Sequence, residues 1–163
     1  MIVVESIQEA VPAGNRVNDF LELEWFETGK RVLRRSTTHG REIALRFLRE
    51  SPVLQEGDIL WIDEHTIISV SILATDAIVL TPSTMADMAA ICYEIGNKHL
   101  PLFLSGEQVL IPFEAPLYKW LETRGYKPVK EQRVLTNMLR SNVLPHNHGN
   151  SSLFSKIMQL TSK

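Results

Sequence analysis

The feature that most narrows the fold is a change of hydrophobic period, repeated in a fixed order between Ala77 and Thr136. "AIVLTP" opens this stretch as a short apolar strand. From Ser83-Thr84 the period lengthens. Met85, Met88, Ala89, Cys92 and Ile95 make one stripe at helical spacing. Asp87 stands three residues after Thr84, in capping-box position, and Gly96 stands where a C-terminal cap belongs. "LPLFL" and "VLIPF" then read as two strands around a Ser105-Gly106 turn. "APLYKWLETRG" is a second helix, with Leu117, Trp120 and Leu121 on one face and Gly125 as its stop. "YKPVKEQRVLT" ends as a strand. The order β-α-β-β-α-β is that of the ferredoxin-like unit.

The residues before this stretch carry a different pattern. "REIALRF" places Ile43, Leu45 and Phe47 on one face of a half-buried strand. "KRVLRRSTT" pairs with it across His39-Gly40. "DILWIDEHTIISVSIL" supplies two more strands, parted by Asp63-Glu64-His65. Short strands with turn signals between them predict a small sandwich or barrel. The fold class is therefore α+β: an all-β N-terminal domain (1–75), a ferredoxin-like βαββαβ domain (76–141) and a flexible C-terminal tail (142–163). The tail is polar through "LPHNHGNSS". It ends in "SLFSKIMQL", which is expected to form a short helix only on contact with something else.

Several classes of function are disfavoured at this level. Residues 1–75 hold 8 Lys/Arg against 12 Asp/Glu, a balance of −4; residues 76–141 hold 7 of each; the last 22 residues hold 2 Lys and no acid. No segment has the basic excess that a phosphate backbone attracts, so nucleic acid is not the expected partner. One cysteine, Cys92, leaves no intramolecular disulfide and no paired-cysteine zinc site. It lies on the apolar stripe, where core packing is the better reading. The N-terminus has no signal-peptide pattern, and no run approaches the roughly 18 apolar residues of a membrane span. A cytoplasmic location is expected. Phosphate-loop, dinucleotide and nucleophile-elbow motifs are absent, and no carboxylate pair stands out. Nothing argues for an enzyme.

Five histidines remain. His39 and His65 sit at hairpin tips and read as solvated turn residues. His99 follows a helix C-terminus, where a dipole-satisfying cap is the better local reading. His146 and His148 stand two apart in the tail, a spacing that can grip one borderline divalent ion. None of these completes a four-ligand shell. A second copy would supply what is missing, because a residue near a two-fold axis is doubled. Two His99 imidazoles facing each other would hold an ion that His146 or His148 then covers. Such a site binds through neutral imidazole, so its affinity falls as pH drops through the histidine range.

With these residues in view, "CYEIGNKH" (Cys92–His99) resembles the signature C-Y-x-[IL]-G-N-[RK]-H of the UreE family of urease accessory proteins, the nickel metallochaperones. "LEWFETGKRVLRRSTTHGREIALRF" and "PFEAPLYKWLETRGY" are also similar to segments of that family, in the same order, and the likeness runs through residues 1–148. The resemblance implies a homodimer formed through the ferredoxin-like domain, with His99 as the shared interfacial ligand and His146 completing the site from the tail. His148 is an extra or alternative ligand. It implies nickel as cargo and the urease GTPase UreG as partner, leading to the urease maturation complex. Imidazole sites also accept zinc and copper in vitro, so nickel comes from the resemblance and not from the donor set. Two departures stand out. The tail has two histidines instead of a long histidine-rich run, and "LIPFEA" (Leu110–Ala115) lacks the histidine pair some members carry. Few ions per dimer are therefore expected.

Other readings compete with this one. The ferredoxin-like unit is shared with RNA-binding modules, although "LPLFL" and "YKPVKEQRVL" lack their aromatic pattern. A phosphatase-like enzyme would need an anion-cradling loop with an arginine, which is not found. A structural adaptor could dock through the acidic β domain without transferring metal.

Overall fold

A computed structural model describes residues 1–9, 14–49 and 52–139. Its first half is built from β1 (Ile2–Val4), β2 (Val17–Leu23), β3 (Val32–Ser36), β4 (Glu42–Arg46), β5 (Ile59–Ile62) and β6 (Thr66–Ile72). These form two three-stranded sheets, ordered β1-β4-β3 and β2-β6-β5. In each, the central strand has one parallel and one antiparallel neighbour. The expected pairing of β3 with β4 holds, and its turn ends on Gly40 at φ +79°. Strand alternation turns Ile43, Leu45 and Phe47 inward, where they meet Leu21, Leu23, Ile68, Val70 and Ile72 of the other sheet in one core.

Two buried carboxylates lock this half. Asp19 on β2 accepts hydrogen bonds from the Thr37 and Thr38 hydroxyls, 2.7 and 2.9 Å, and from the amides of His39 and Phe20, 3.0 and 2.9 Å. His39 Nδ1 also lies 3.0 Å from it. His39 is thus more than a solvated turn residue, because it helps fasten its hairpin to the opposite sheet. Burial alone would raise the Asp19 pKa, but these donors outweigh it and hold the carboxyl below its ordinary value. Glu27 closes a single 3-10 turn, Trp25–Glu27, and takes Arg35 at 2.6 Å and Lys30 at 3.1 Å.

The second half runs β7 (Ala74–Leu80), α1 (Met85–Asn97), β8 (Phe103–Ser105), β9 (Gln108–Pro112), α2 (Ala115–Thr123) and β10 (Val129–Val134). The sheet order is β10-β7-β9-β8 with every pair antiparallel. This is the ferredoxin-like arrangement, and the α+β class expected from the sequence is the observed one. One sheet face packs Ile78, Leu80, Val109 and Ile111 against Ile91 and Ile95 of α1 and Leu117 and Leu121 of α2. The opposite face buries Ala77, Val79, Phe103, Leu110 and Leu135, with Trp25 from the first half packed against it. Trp25 meets Phe103 edge-on at 5.5 Å between ring centres. No helix among the described residues is long and apolar enough to cross a membrane.

The predicted start of α1 and stop of α2 hold, and α1 brings two corrections. The Thr84–Asp87 capping box is present, each bond 3.1 Å. Gly125 follows α2 at φ +86°, as a stop should. The stripe, however, is rotated. Met88, Ile91, Cys92 and Ile95 face the core, whereas Met85 is 88% exposed and Ala89 is exposed. The helix is apolar on more than one side, so period alone did not choose between faces. The sheet takes the side that carries the two isoleucines. The second correction concerns where α1 ends, and it shapes the site.

Candidate metal centre at the end of the first long helix

The helix α1 does not stop at Gly96. Gly96 and Asn97 are both helical, and Lys98 is the C-cap at φ −84°, ψ −2°. His99 then takes φ +56°, the left-handed conformation. Its amide donates to Gly96 O at 2.9 Å, and the amide of Leu100 donates back to Ile95 O at 3.5 Å. This double closure is a Schellman motif with His99 in the position that glycine usually holds. The reason lies one residue further on. A Schellman turn is sealed by an apolar residue just past the left-handed one. Stopping at Gly96 would put Asn97 in that place. Stopping at His99 puts Leu100 there, where it packs into the core that contains Ile95. Apolar sealing outweighs the glycine preference, so the histidine itself carries the strained backbone and stands exposed at the helix end.

The surroundings of this turn come from three elements. Lys98 Nζ lies 4.2 Å from the centre of the Trp120 ring on α2, and the Arg124 guanidinium carbon lies 5.4 Å from it. Along α1, Met85, Ala89 and Tyr93 recur every four residues on the side turned away from the sheet, and Tyr93 is 71% exposed. The third element is the end of the described chain. The amide of Leu139 donates to Leu102 O at 2.8 Å, three residues from His99.

His146 and His148 lie outside the described residues, as does the tail 142–163 expected from the sequence. Among the described residues, no group of three or more His, Cys, Asp or Glu side chains could hold an ion. Of the three expected ligands, His99 is the one that falls among the described residues. Cys92 packs among the core residues, with its thiol 3.9 Å from Met88 Sδ and its pKa pushed up by burial. That is the inert environment expected for it. His65 is exposed, and its amide is tied to Asp63 Oδ1 at 2.8 Å. Sequence reasoning missed the part played by Lys98 and Trp120, and it missed the exposed Met85–Ala89–Tyr93 line. The four-residue spacing of that line was its available signal.

A ferredoxin-like unit is joined to a small β sandwich, and an exposed imidazole, His99, stands at the end of its first helix. Comparison with known proteins makes the family plain. Residues 4–73 match the profile of the UreE urease accessory protein N-terminal domain, and residues 75–151 match that of its C-terminal domain. The chain is 48% identical to a urease accessory protein UreE of Flavobacterium johnsoniae, over 90% of this chain and 89% of that one. It is 42% identical to one of Actinobacillus pleuropneumoniae, over 78% and 68% respectively, and 37% identical to one of Acetivibrio thermocellus, over 82% and 86%. The chain belongs to the UreE family of urease accessory proteins, which are not enzymes.

Proposed function

We propose that two copies of this chain form a nickel chaperone for the assembly of urease. The ion is held between paired His99 imidazoles and covered by His146 or His148 from a tail. Residues 1–75 dock the partner, residues 76–141 dimerise and hold metal, and residues 142–163 complete the site. The partner is the urease GTPase UreG, in the cytoplasm, and the ion passes through it to the maturing urease. Zinc and copper would occupy the same imidazoles in vitro.

The observation that carries this reading is the position of His99. An exposed imidazole on a turn fixed by two backbone bonds supplies one donor per chain. The exposed apolar line Met85, Ala89, Tyr93 on the same helix suits a second copy, which would double that donor. Tail ligands are within reach. Leu139 is bonded beside Leu102, and three residues back to His99 span at most about 11 Å. Seven residues from Leu139 to His146 extend up to about 24 Å. The competing RNA-binding reading loses its platform, because the sheet face such modules use is packed under Trp25 and Leu135.

Calorimetry with nickel tests the proposal, together with sedimentation. Wild type should bind nickel tightly as a dimer. His99→Ala should abolish the tight site, and removal of residues 145–163 should only weaken it. Tight binding that survives His99→Ala would sink the reading.

A further inference from the structure

We propose that Trp120 is a positioning residue for the metal-binding turn and acts on it through Lys98. This rests on the reading of His99 as a ligand and adds to it the device that holds the imidazole in place. Lys98 is the C-cap of α1 and the immediate neighbour of His99. Its ammonium sits 4.2 Å from the centre of the Trp120 ring, within the range of a cation–π contact. Arg124 reaches the same ring at 5.4 Å, so the indole gathers both cations.

The choice of partner is informative. Glu94 stands four residues before Lys98, the spacing and order at which a helix favours a Glu–Lys ion pair. Yet Glu94 has one carboxylate oxygen buried with no hydrogen-bond partner, and the lysine lies over the indole instead. The contact crosses from α1 to α2. Trp120 is itself packed against the core that contains Leu117 and Leu121. It therefore ties the last residue before the left-handed turn to a rigid neighbouring element. Without that tie, the turn is held by the 2.9 Å and 3.5 Å backbone bonds and the Leu100 seal. The longer of those bonds is weak. Helix ends fray first, and fraying here would release His99 from the geometry that a two-fold site needs.

The test uses the full-length chain and reads the turn with and without metal. In the metal-free protein, amide hydrogen exchange at His99 and Leu100 reports the turn. Lys98→Met keeps the aliphatic stem and removes the charge. It should speed exchange at both amides by about three- to tenfold, the size of one partly exposed cation–π contact, and weaken nickel binding by a similar factor. Lys98→Arg, which keeps a cation over the ring, should restore both to near wild type. Trp120→Leu should resemble Lys98→Met at these two amides, and the double variant should be no worse than the more affected single one. Unchanged exchange at His99 and Leu100 in Lys98→Met would overturn the proposal, as would additive effects in the double variant. Lys98 is exposed, so its variants remain informative if Trp120→Leu fails to fold. Should His99→Ala leave nickel binding intact, the chaperone reading fails, while the exchange data still decide whether the clamp exists.

Discussion

Replacing His99 with glycine should leave the fold at least as stable while removing the proposed ligand. His99 holds φ at +56°. An L-residue there costs about 1–2 kcal/mol, and histidine belongs at the lower end because it visits that region more readily than most. Glycine removes the cost but gives back about 0.5–1 kcal/mol through its freer unfolded chain. The net gain over wild type is therefore small, at most about 0.5 kcal/mol. The comparison with alanine is sharper. Alanine keeps the backbone cost, so His99→Gly should exceed His99→Ala by about 1 kcal/mol. For a chain of this length that is a gap of about 2–4 °C in midpoint. Gly96→Ala provides the opposite control. Gly96 lies inside α1, and a Cβ there would meet nothing within 4 Å. Alanine should thus gain about 0.5–1 kcal/mol. Thermal and urea unfolding of the metal-free variants would measure both. If His99→Gly proves no more stable than His99→Ala, and Gly96→Ala is destabilising, then the helix ends at Gly96 and the turn described above is wrong.

Other consequences are open to direct measurement. Asp19→Asn should cost about 2–3 kcal/mol at neutral pH, since a buried acceptor of several donors loses its charge. Because the folded Asp19 carboxyl is held below its ordinary value, its contribution is complete above the unfolded pKa and disappears as pH falls through the lower folded one. Acid unfolding of Asp19→Asn should therefore lack that part of the wild-type slope. Tyr93→Arg, placed on the exposed line of α1, should leave the circular dichroism spectrum unchanged, shift sedimentation toward monomer and weaken nickel binding. Trp25→Ala should cost about 2–3 kcal/mol, because its ring packs against the cores of both halves; two separate unfolding transitions in the variant would show that it couples them.

The legible parts of this chain were those in which local chemistry and global packing agree. Thr84 with Asp87, Gly125 after α2, and the alternation of Ile43, Leu45 and Phe47 each point to one structure, and that structure formed. The errors fell where two local signals competed. On α1 the stripe through Met85 and Ala89 and the stripe through Ile91 and Ile95 are both apolar, and only the sheet decides between them. At its end, Gly96 is the better local stop, but Leu100 is the better seal. The seal is a tertiary contact with Ile95 that no local rule can weigh. Asp19 carries no local signal of its role. Its donors come from a hairpin about twenty residues away. Lys98 and Trp120 were hidden for the same reason, since they meet only once two helices are packed.

The conformation of His99 also bears on the two explanations of why a histidine stands there. As a simple cap, a cationic imidazole near the helix C-terminus gains about 0.3–1 kcal/mol from the dipole, and only when protonated. The left-handed backbone that places it there costs about 1–2 kcal/mol. Lys98, in the preceding position, is the C-cap itself, with its ammonium over the Trp120 ring. At the lower end of that cost range, where histidine belongs, capping at most balances the strain, and a glycine would close the same Schellman turn at lower cost. Strain of this kind persists where the surrounding structure over-determines it, and it clusters at sites of function. Here Leu100, the two backbone bonds and the Lys98–Trp120 contact over-determine it. What the strain secures is an imidazole whose backbone cannot drift. The proposed site, assembled from two identical donors, would need that rigidity from each, because among the described residues no group of three or more donor side chains could hold the ion within one chain.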